Sequence, residues 1–244
     1  MEVTDDAFLG GRVQLWQSKR GFRAGLDSVM LAAAVPARPR DRVCDLGVGA
    51  GAASMCLAAR VHPLHITGVE IDRDLADLAR ANAARNGFSD SFEAVIADVL
   101  KRPRTIERQS FDHVMTNPPF HDAARGTRAP LADKARATSA ERTHLDQWLR
   151  FARVLVKPGG WVTTIVPAEQ LADVLAALSP RGLGAEIIPL CPKVGAAAKR
   201  IIIRVRTNSK AGLRLMAGVP LHNDDGTASS AANAVLRQGE PLIR

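Results

Sequence analysis

The chain contains no tyrosine, and aromatic side chains make up only 4% of its 244 residues. It has no run of about 18 apolar residues, so no membrane-spanning helix is expected. Cys44, Cys56 and Cys191 are odd in number and far apart, which excludes a disulfide framework and a paired-cysteine metal knuckle. Free thiols in a reducing cytoplasm are the expectation, with no bound metal. The opening residues Met1-Glu2-Val3-Thr4-Asp5-Asp6 are acidic and do not resemble a secretory signal. There is no G-x-S-x-G elbow and no H-E-x-x-H, and no Lys-Ser/Thr follows the one glycine-rich loop. Elbow-type hydrolases, zincins and P-loop nucleotidases are thereby set aside. Neither an internal repeat nor a low-complexity block is present.

What is there is a chain of one-domain size, with 46% apolar residues to build a core and a formal net charge of +8. The charge is unevenly placed. Residues 41–98 hold five Lys/Arg against nine Asp/Glu, residues 99–144 hold nine against five, and Lys193 to Arg214 hold seven and no acid. A basic half beside a neutral-to-acidic one points to a polyanionic partner.

The most informative stretch is Asn117-Pro118-Pro119-Phe120, carried on the apolar run from Phe111 to Thr116. Two prolines lack N–H groups and fix φ, and they push the residue before them out of the helical region. The run therefore reads as a buried strand that stops abruptly, and ligands of open α/β sheets bind at such carboxyl ends. The Asn117 amide oxygen and the Pro118 carbonyl are two convergent acceptors, suited to a conjugated NH2 group. Accepting both N–H bonds lets that nitrogen pyramidalise and attack an electrophile without a strong general base. Phe120 offers a flat face for the plane that carries the amine.

Other strands end in the same way. A strand from Asp41 to Leu46 runs into Asp45-Leu46-Gly47-Val48-Gly49-Ala50-Gly51, whose glycines allow a sharp turn before a helix at about Ala52. A second strand, Leu64 to Val69, ends at Glu70, 19 residues past Gly51, where an acid binds ribose hydroxyls in dinucleotide folds. A third, Phe92 to Ala97, ends at Asp98. Between the second and third strands a helix has Leu75, Leu78, Ala79 and Ala83 on one face, with Asn82 and Asn86 beyond. Upstream, Phe8, Leu9, Val13, Leu15 and Trp16 are expected to cover a core edge. Asp27 or Ser28 is expected to cap a short helix that Pro36 closes. His121 to His144 shows little apolar periodicity and reads as a surface loop carrying Arg125, Arg128 and Arg136. After it come a helix from Leu145 to Leu155, a Lys157–Gly160 turn, strands Trp161–Val166, Ala185–Leu190 and Ile201–Val205, and a helix Leu171–Leu178. The tail is expected to hold a turn at Asn223–Gly226 before a weak helix or strand.

With Ala52 the loop completes a G-x-G-x-x-A, as in a nicotinamide dehydrogenase, but Asp45 and the lack of an acid/base pair argue against one. Asp45-x-Gly47-x-Gly49-x-Gly51, Glu70, Asp98 and Asn117-Pro118-Pro119-Phe120 together resemble class I S-adenosylmethionine-dependent methyltransferases of the N6-adenine type, over about residues 20–207. Gly21 to Leu31 is similar to a segment of the bacterial tRNA1(Val) (adenine-N6)-methyltransferase group, with Leu26 where that group has Thr and Met30 where it has Leu.

The resemblance implies an α/β, Rossmann-like domain with a seven-stranded, mostly parallel sheet of order 3-2-1-4-5-7-6. It implies a single methyltransferase domain: residues 1–40 an arm and cap helix, 41–207 the core and 208–244 a tail. S-adenosylmethionine would be held by Asp45, Gly47, Gly49, Gly51, Glu70 and Asp98, with Asp27 nearby. Asn117 and Pro118 would hold the target amine and Phe120 would stack the base. A cytoplasmic monomer or weak dimer acting on RNA, most readily tRNA, is expected, gripped by Arg125, Arg128, Lys193, Lys199 and Arg200. The same tetrapeptide suits a protein glutamine, but those enzymes add an N-terminal domain and usually carry Tyr at the last motif position. A small-molecule methyltransferase and a non-catalytic RNA-binding module are the remaining alternatives.

Overall fold

The computed structural model describes residues 2–21, 23–119 and 131–243, with backbone alone over 131–141. Strands β1 (Val3–Phe8) and β2 (Val13–Ser18) form an antiparallel hairpin, and helix α1 (Leu26–Ala34) follows. Strands and helices then alternate: β3 (Arg42–Leu46), α2 (Ala52–Arg60), β4 (His65–Glu70), α3 (Arg73–Arg85) and β5 (Phe92–Ile96). Next come β6 (Phe111–Thr116), α4 (Leu131–Leu155), β7 (Val156–Pro167), α5 (Leu171–Leu178), β8 (Ala185–Lys193) and β9 (Arg200–Arg206). The tail contributes β10 (Arg214–Leu215), β11 (Val219–His222) and α6 (Ser230–Leu236).

The main sheet runs β5-β4-β3-β6-β7-β9-β8, parallel except for β9. Counted from β3, this is the expected order 3-2-1-4-5-7-6. Among the described residues the sheet has nine strands rather than seven, because β10 and β11 both pair in parallel with β8. These short tail strands satisfy a row of backbone groups that the outer edge of β8 would otherwise present to solvent. Neither has enough apolar length to be read as a strand from sequence.

Successive residues of the central strands face opposite layers. Val43, Ile66, Met115, Ile165 and Ile202 pack with the hairpin, α1, α2, α3 and α6. Cys44, Val69, Val114, Val166 and Ile203 pack with α4 and α5. Burial on both faces is what makes these strands near-continuous apolar runs. Cys44 and Cys56 are buried free thiols, and Cys191 is half-buried and also free. No described helix is long and apolar enough to cross a membrane.

Three local expectations are corrected. Residues 131–144 are helical, so α4 begins well before the expected helix at Leu145. Apolar periodicity reports burial, whereas the Ala, Arg, Lys and Glu of this segment favour a helix by intrinsic propensity alone. Helix α1 is preceded by Gly25 with no side-chain cap; Asp27 and Ser28 lie inside its first turn. The Lys157–Gly160 turn lies within β7, as a register shift between the pairs Phe111–Val156 and His113–Trp161.

Candidate active site at the carboxyl ends of the strands

Strands β5, β4, β3 and β6 are neighbours in that order, so Asp98, Glu70, the glycine loop and Asn117 come to one edge of the sheet. After β3 the chain turns sharply: Gly47 and Val48 both donate to the Val69 carbonyl, at 2.9 and 3.0 Å. Gly47 has φ +76°, and a Cβ there would stand 3.0 Å from the Trp148 ring. Gly49 and Gly51 also have positive φ, and Gly51 leads directly into α2. Gly68 on β4 leaves room for Val48, whose side chain would meet an added Cβ at 2.9 Å.

Glu70 is buried and ties the loop to the end of β4. One carboxylate oxygen accepts from Gly49 N–H at 2.9 Å, the other from Ile71 and Asp72 N–H at 2.9 and 3.0 Å. Asp98 accepts from Leu100 N–H at 3.0 Å, with the Lys101 ammonium 3.7 Å from its other oxygen. Asp45 is 2% exposed and accepts from the Ser54 hydroxyl at 2.7 Å. Burial pushes its pKa up to about 7, against the lowering effect of the Ser54 bond and with a smaller upward push from Glu70.

At the end of β6, the Thr116 hydroxyl donates to the Leu46 carbonyl at 2.8 Å and accepts from the Trp148 indole N–H at 2.9 Å. Trp148 thus braces the strand end against the glycine loop. Pro118 is buried, and the Asn117 amide oxygen is buried without a hydrogen-bond partner among the described residues. It is one of six buried side-chain polar atoms without a partner among the described residues, and its place at the end of β6 beside the glycine loop fits an incoming N–H donor.

The structure brings Asp45, Gly47, Gly49, Gly51, Glu70, Asp98, Asn117 and Pro118 to this edge; Phe120, His121, Arg125 and Arg128 lie outside the described residues. Asp27 pairs with Arg200, at 3.1 Å. Lys193 and Lys199 lie at the same end of the sheet, since Pro167 at the end of β7 pairs with Arg200 and β8 ends at Lys193. Lys193 donates to the Asp224 carbonyl at 3.0 Å. Sequence reasoning missed Trp148, Ser54 and the role of Asn82. Asn82 is fully buried; its amide donates to the Ala50 carbonyl at 2.8 Å and exchanges bonds with Trp16 N–H and C=O at 2.8 and 2.9 Å. Its signal was a polar residue one position from the apolar stripe of α3.

Fold and site define a Rossmann-like methyltransferase of class I. Residues 23–144 match the methyltransferase small domain, and the chain belongs to that family. It is 32% identical over 174 residues to a tRNA1(Val) (adenine(37)-N6)-methyltransferase of Porphyromonas gingivalis, covering 69% of this chain and 68% of the relative. A relative of the same description from Dickeya chrysanthemi is 27% identical over 222 residues, covering 88% and 87%. Among solved structures, a predicted O-methyltransferase of Agrobacterium tumefaciens superposes with a TM-score of 0.71 at 27% identity, over 86% of this chain and 94% of that one. TrmN from Thermus thermophilus shares the fold, with a TM-score of 0.53 at 22% identity, over 74% and 48%.

The residues present fit S-adenosylmethionine. Acids end three adjacent strands, where a cation-bearing nucleoside needs them, and the left-handed glycines bring loop backbone within reach of a ligand.

Proposed function

We propose that the protein transfers a methyl group from S-adenosylmethionine to the exocyclic N6 amine of an adenine in RNA, most directly a tRNA, in the cytoplasm. The observation that carries this reading is the open Asn117 amide oxygen at the end of β6, beside the glycine loop. Bound S-adenosylmethionine supplies an electrophilic methyl group on sulfur. Asn117 and the Pro118 carbonyl accept the two N–H bonds of the target amine, freeing its lone pair from conjugation with the ring. These acceptors gain strength as positive charge develops on nitrogen, so they favour the transition state over the bound ground state. Thr116, Trp148 and the Leu46 carbonyl hold that strand end against the loop, which keeps the amine and the methyl donor in register. The tRNA acceptor is supported by the descriptions of the Porphyromonas and Dickeya relatives.

The Agrobacterium protein is described as a predicted O-methyltransferase, and an oxygen acceptor is the second reading. Two convergent acceptors suit an amine; a hydroxyl has one proton to offer and needs a base. Incubation with labelled S-adenosylmethionine and total tRNA, followed by nucleoside analysis, separates them. N6-methyladenosine is expected. Label in a 2′-O-methylnucleoside, or in protein in preference to RNA, would overturn the reading.

A further inference from the structure

A cleft of about 540 Å3 opens at the other end of the parallel strands, between the end of α4, the start of β7 and the turn entering β6. Arg102, Arg108, Arg150 and Arg153 line it, and among the described residues no carboxylate does. Arg150 is matched by Asp146 one helical turn earlier, at 2.8 Å. Arg102, Arg108 and Arg153 have no ion pair among the described residues. Arg153 lies in the last turn of α4, where a cation complements the negative helix end, and that accounts for one of the four. Arg102 and Arg108, which neither Asp146 nor the helix end accounts for, remain like charges at one cavity with no partner among the described residues.

The backbone around the cleft carries an independent sign. Five described non-glycine residues have positive φ, and three of them, Arg102, Gln109 and Asn208, line this cleft. Arg102 closes the turn Val99–Lys101, where a left-handed residue is ordinary, and asparagine tolerates that region, so Gln109 carries the strain of the kind that collects at binding sites. The turn is held in place by Gln109 and Ser110 N–H donating to the Val154 and Leu155 carbonyls, at 3.0 and 3.1 Å.

We propose that this cleft is a phosphate-binding site separate from the catalytic edge. Guanidinium forks match phosphate oxygens bidentately, and the Gln109 and Asn208 amides add neutral polar groups for what the phosphate carries. Six residues of β6 separate it from Asn117, about 3.3 Å each and so roughly 20 Å, which keeps its ligand clear of the reacting amine. The phosphate comes either from the backbone of the bound RNA, in which case the inference rests on the RNA reading above, or from a free phosphoanion.

The test uses the double variant Arg108→Gln/Arg153→Gln, leaving Arg102 because Asp98 is close to it in sequence. Arg73→Gln/Arg181→Gln, at exposed positions elsewhere, is the control for net charge. Inorganic pyrophosphate binding by calorimetry should weaken at least tenfold in the cleft variant and stay unchanged in the control. If the source is RNA, the log–log salt dependence of tRNA binding should also become shallower by about two, near 0.9 for each lost contact. Loss of pyrophosphate binding with an unchanged tRNA slope assigns the cleft to a free phosphoanion and leaves the catalytic reading untouched. A variant that melts like the parent and changes neither measurement overturns the proposal. Arg108→Lys/Arg153→Lys, which keeps charge but loses the forks, should fall between the two and guards against misfolding of the Gln variant.

Discussion

Asn117 bears a primary amide whose oxygen is buried and unpaired, a state that costs about 1–3 kcal/mol unless a ligand completes it. Asn117→Ala should therefore lower turnover by ~100-fold or more, as loss of a transition-state hydrogen-bond partner does, while cofactor affinity stays within about twofold. Kinetics and calorimetry on the same preparation check this, and equal loss in both would make Asn117 structural. Asp45 makes a pH prediction. Its native pKa of about 7 lies above the ordinary value near 4, so the native state holds more protons than the unfolded one between those limits. Its contribution to stability falls as pH rises across that window and levels off above 7. Asp45→Asn keeps an acceptor for Ser54 and should flatten that part of the stability profile. A cationic cofactor favours the ionised form, so affinity should rise through pH 7 with proton release. Calorimetry in buffers of different ionisation heat reads that release, and pH-independent affinity would remove Asp45 from the site.

Among the elements, α3 does more than cover the sheet. Asn82 and Asn86 are one turn apart and serve the free edge of β2: Asn86 exchanges bonds with Gln14 N–H and C=O at 2.9 and 2.8 Å, as Asn82 does with Trp16. The N-terminal hairpin is docked by side-chain amides rather than by a third strand, and Asn82 joins that docking to the glycine loop through Ala50. Asn82→Ala strands buried backbone groups and should cost about 1–3 kcal/mol in denaturant unfolding, with weaker cofactor binding. Asn82→Asp should be worse at neutral pH, since it sets a charged acceptor against the Trp16 and Ala50 carbonyls. A fully stable Asn82→Ala protein would show that the hairpin stands without the amide. The sequence placed this residue beside the apolar stripe of α3 but could not reveal its partners, which are 66 and 32 residues away.

For the whole molecule, the charge is less free than its distribution along the chain implies. Within the acid-free segment, Arg204 is buried against Glu186 and also donates to the Ala34 carbonyl at 3.1 Å. Arg214 reaches the same Glu186 at 3.1 Å, and Arg200 is engaged by Asp27. Lys193 and Lys199 remain exposed on the catalytic edge. Lys193→Gln/Lys199→Gln should weaken tRNA binding and reduce its log–log salt slope by up to about two, with cofactor affinity unchanged. Arg200 is left alone because removing it would free Asp27. Filter binding across a salt series decides the matter; an unchanged slope would take these lysines out of the RNA path.

The sequence by itself determined the alternation of strands and helices, the glycine turn after Asp45 and the acids and amide that end four strands. Each of these is local: apolar runs bury, glycine alone tolerates the turn, and two prolines end a strand wherever they stand. Only the tertiary structure decided that Trp148 braces Thr116 against Gly47, that Asn82 serves two distant segments, and that Glu186 and Asp27 absorb charge from the basic segment. It also decided that β10 and β11 close the edge of β8, and that arginines from the segments before β6 and in α4 meet around one cleft. Those outcomes depend on pairings between residues far apart in the chain, and neither periodicity nor local propensity encodes which distant partner a side chain meets.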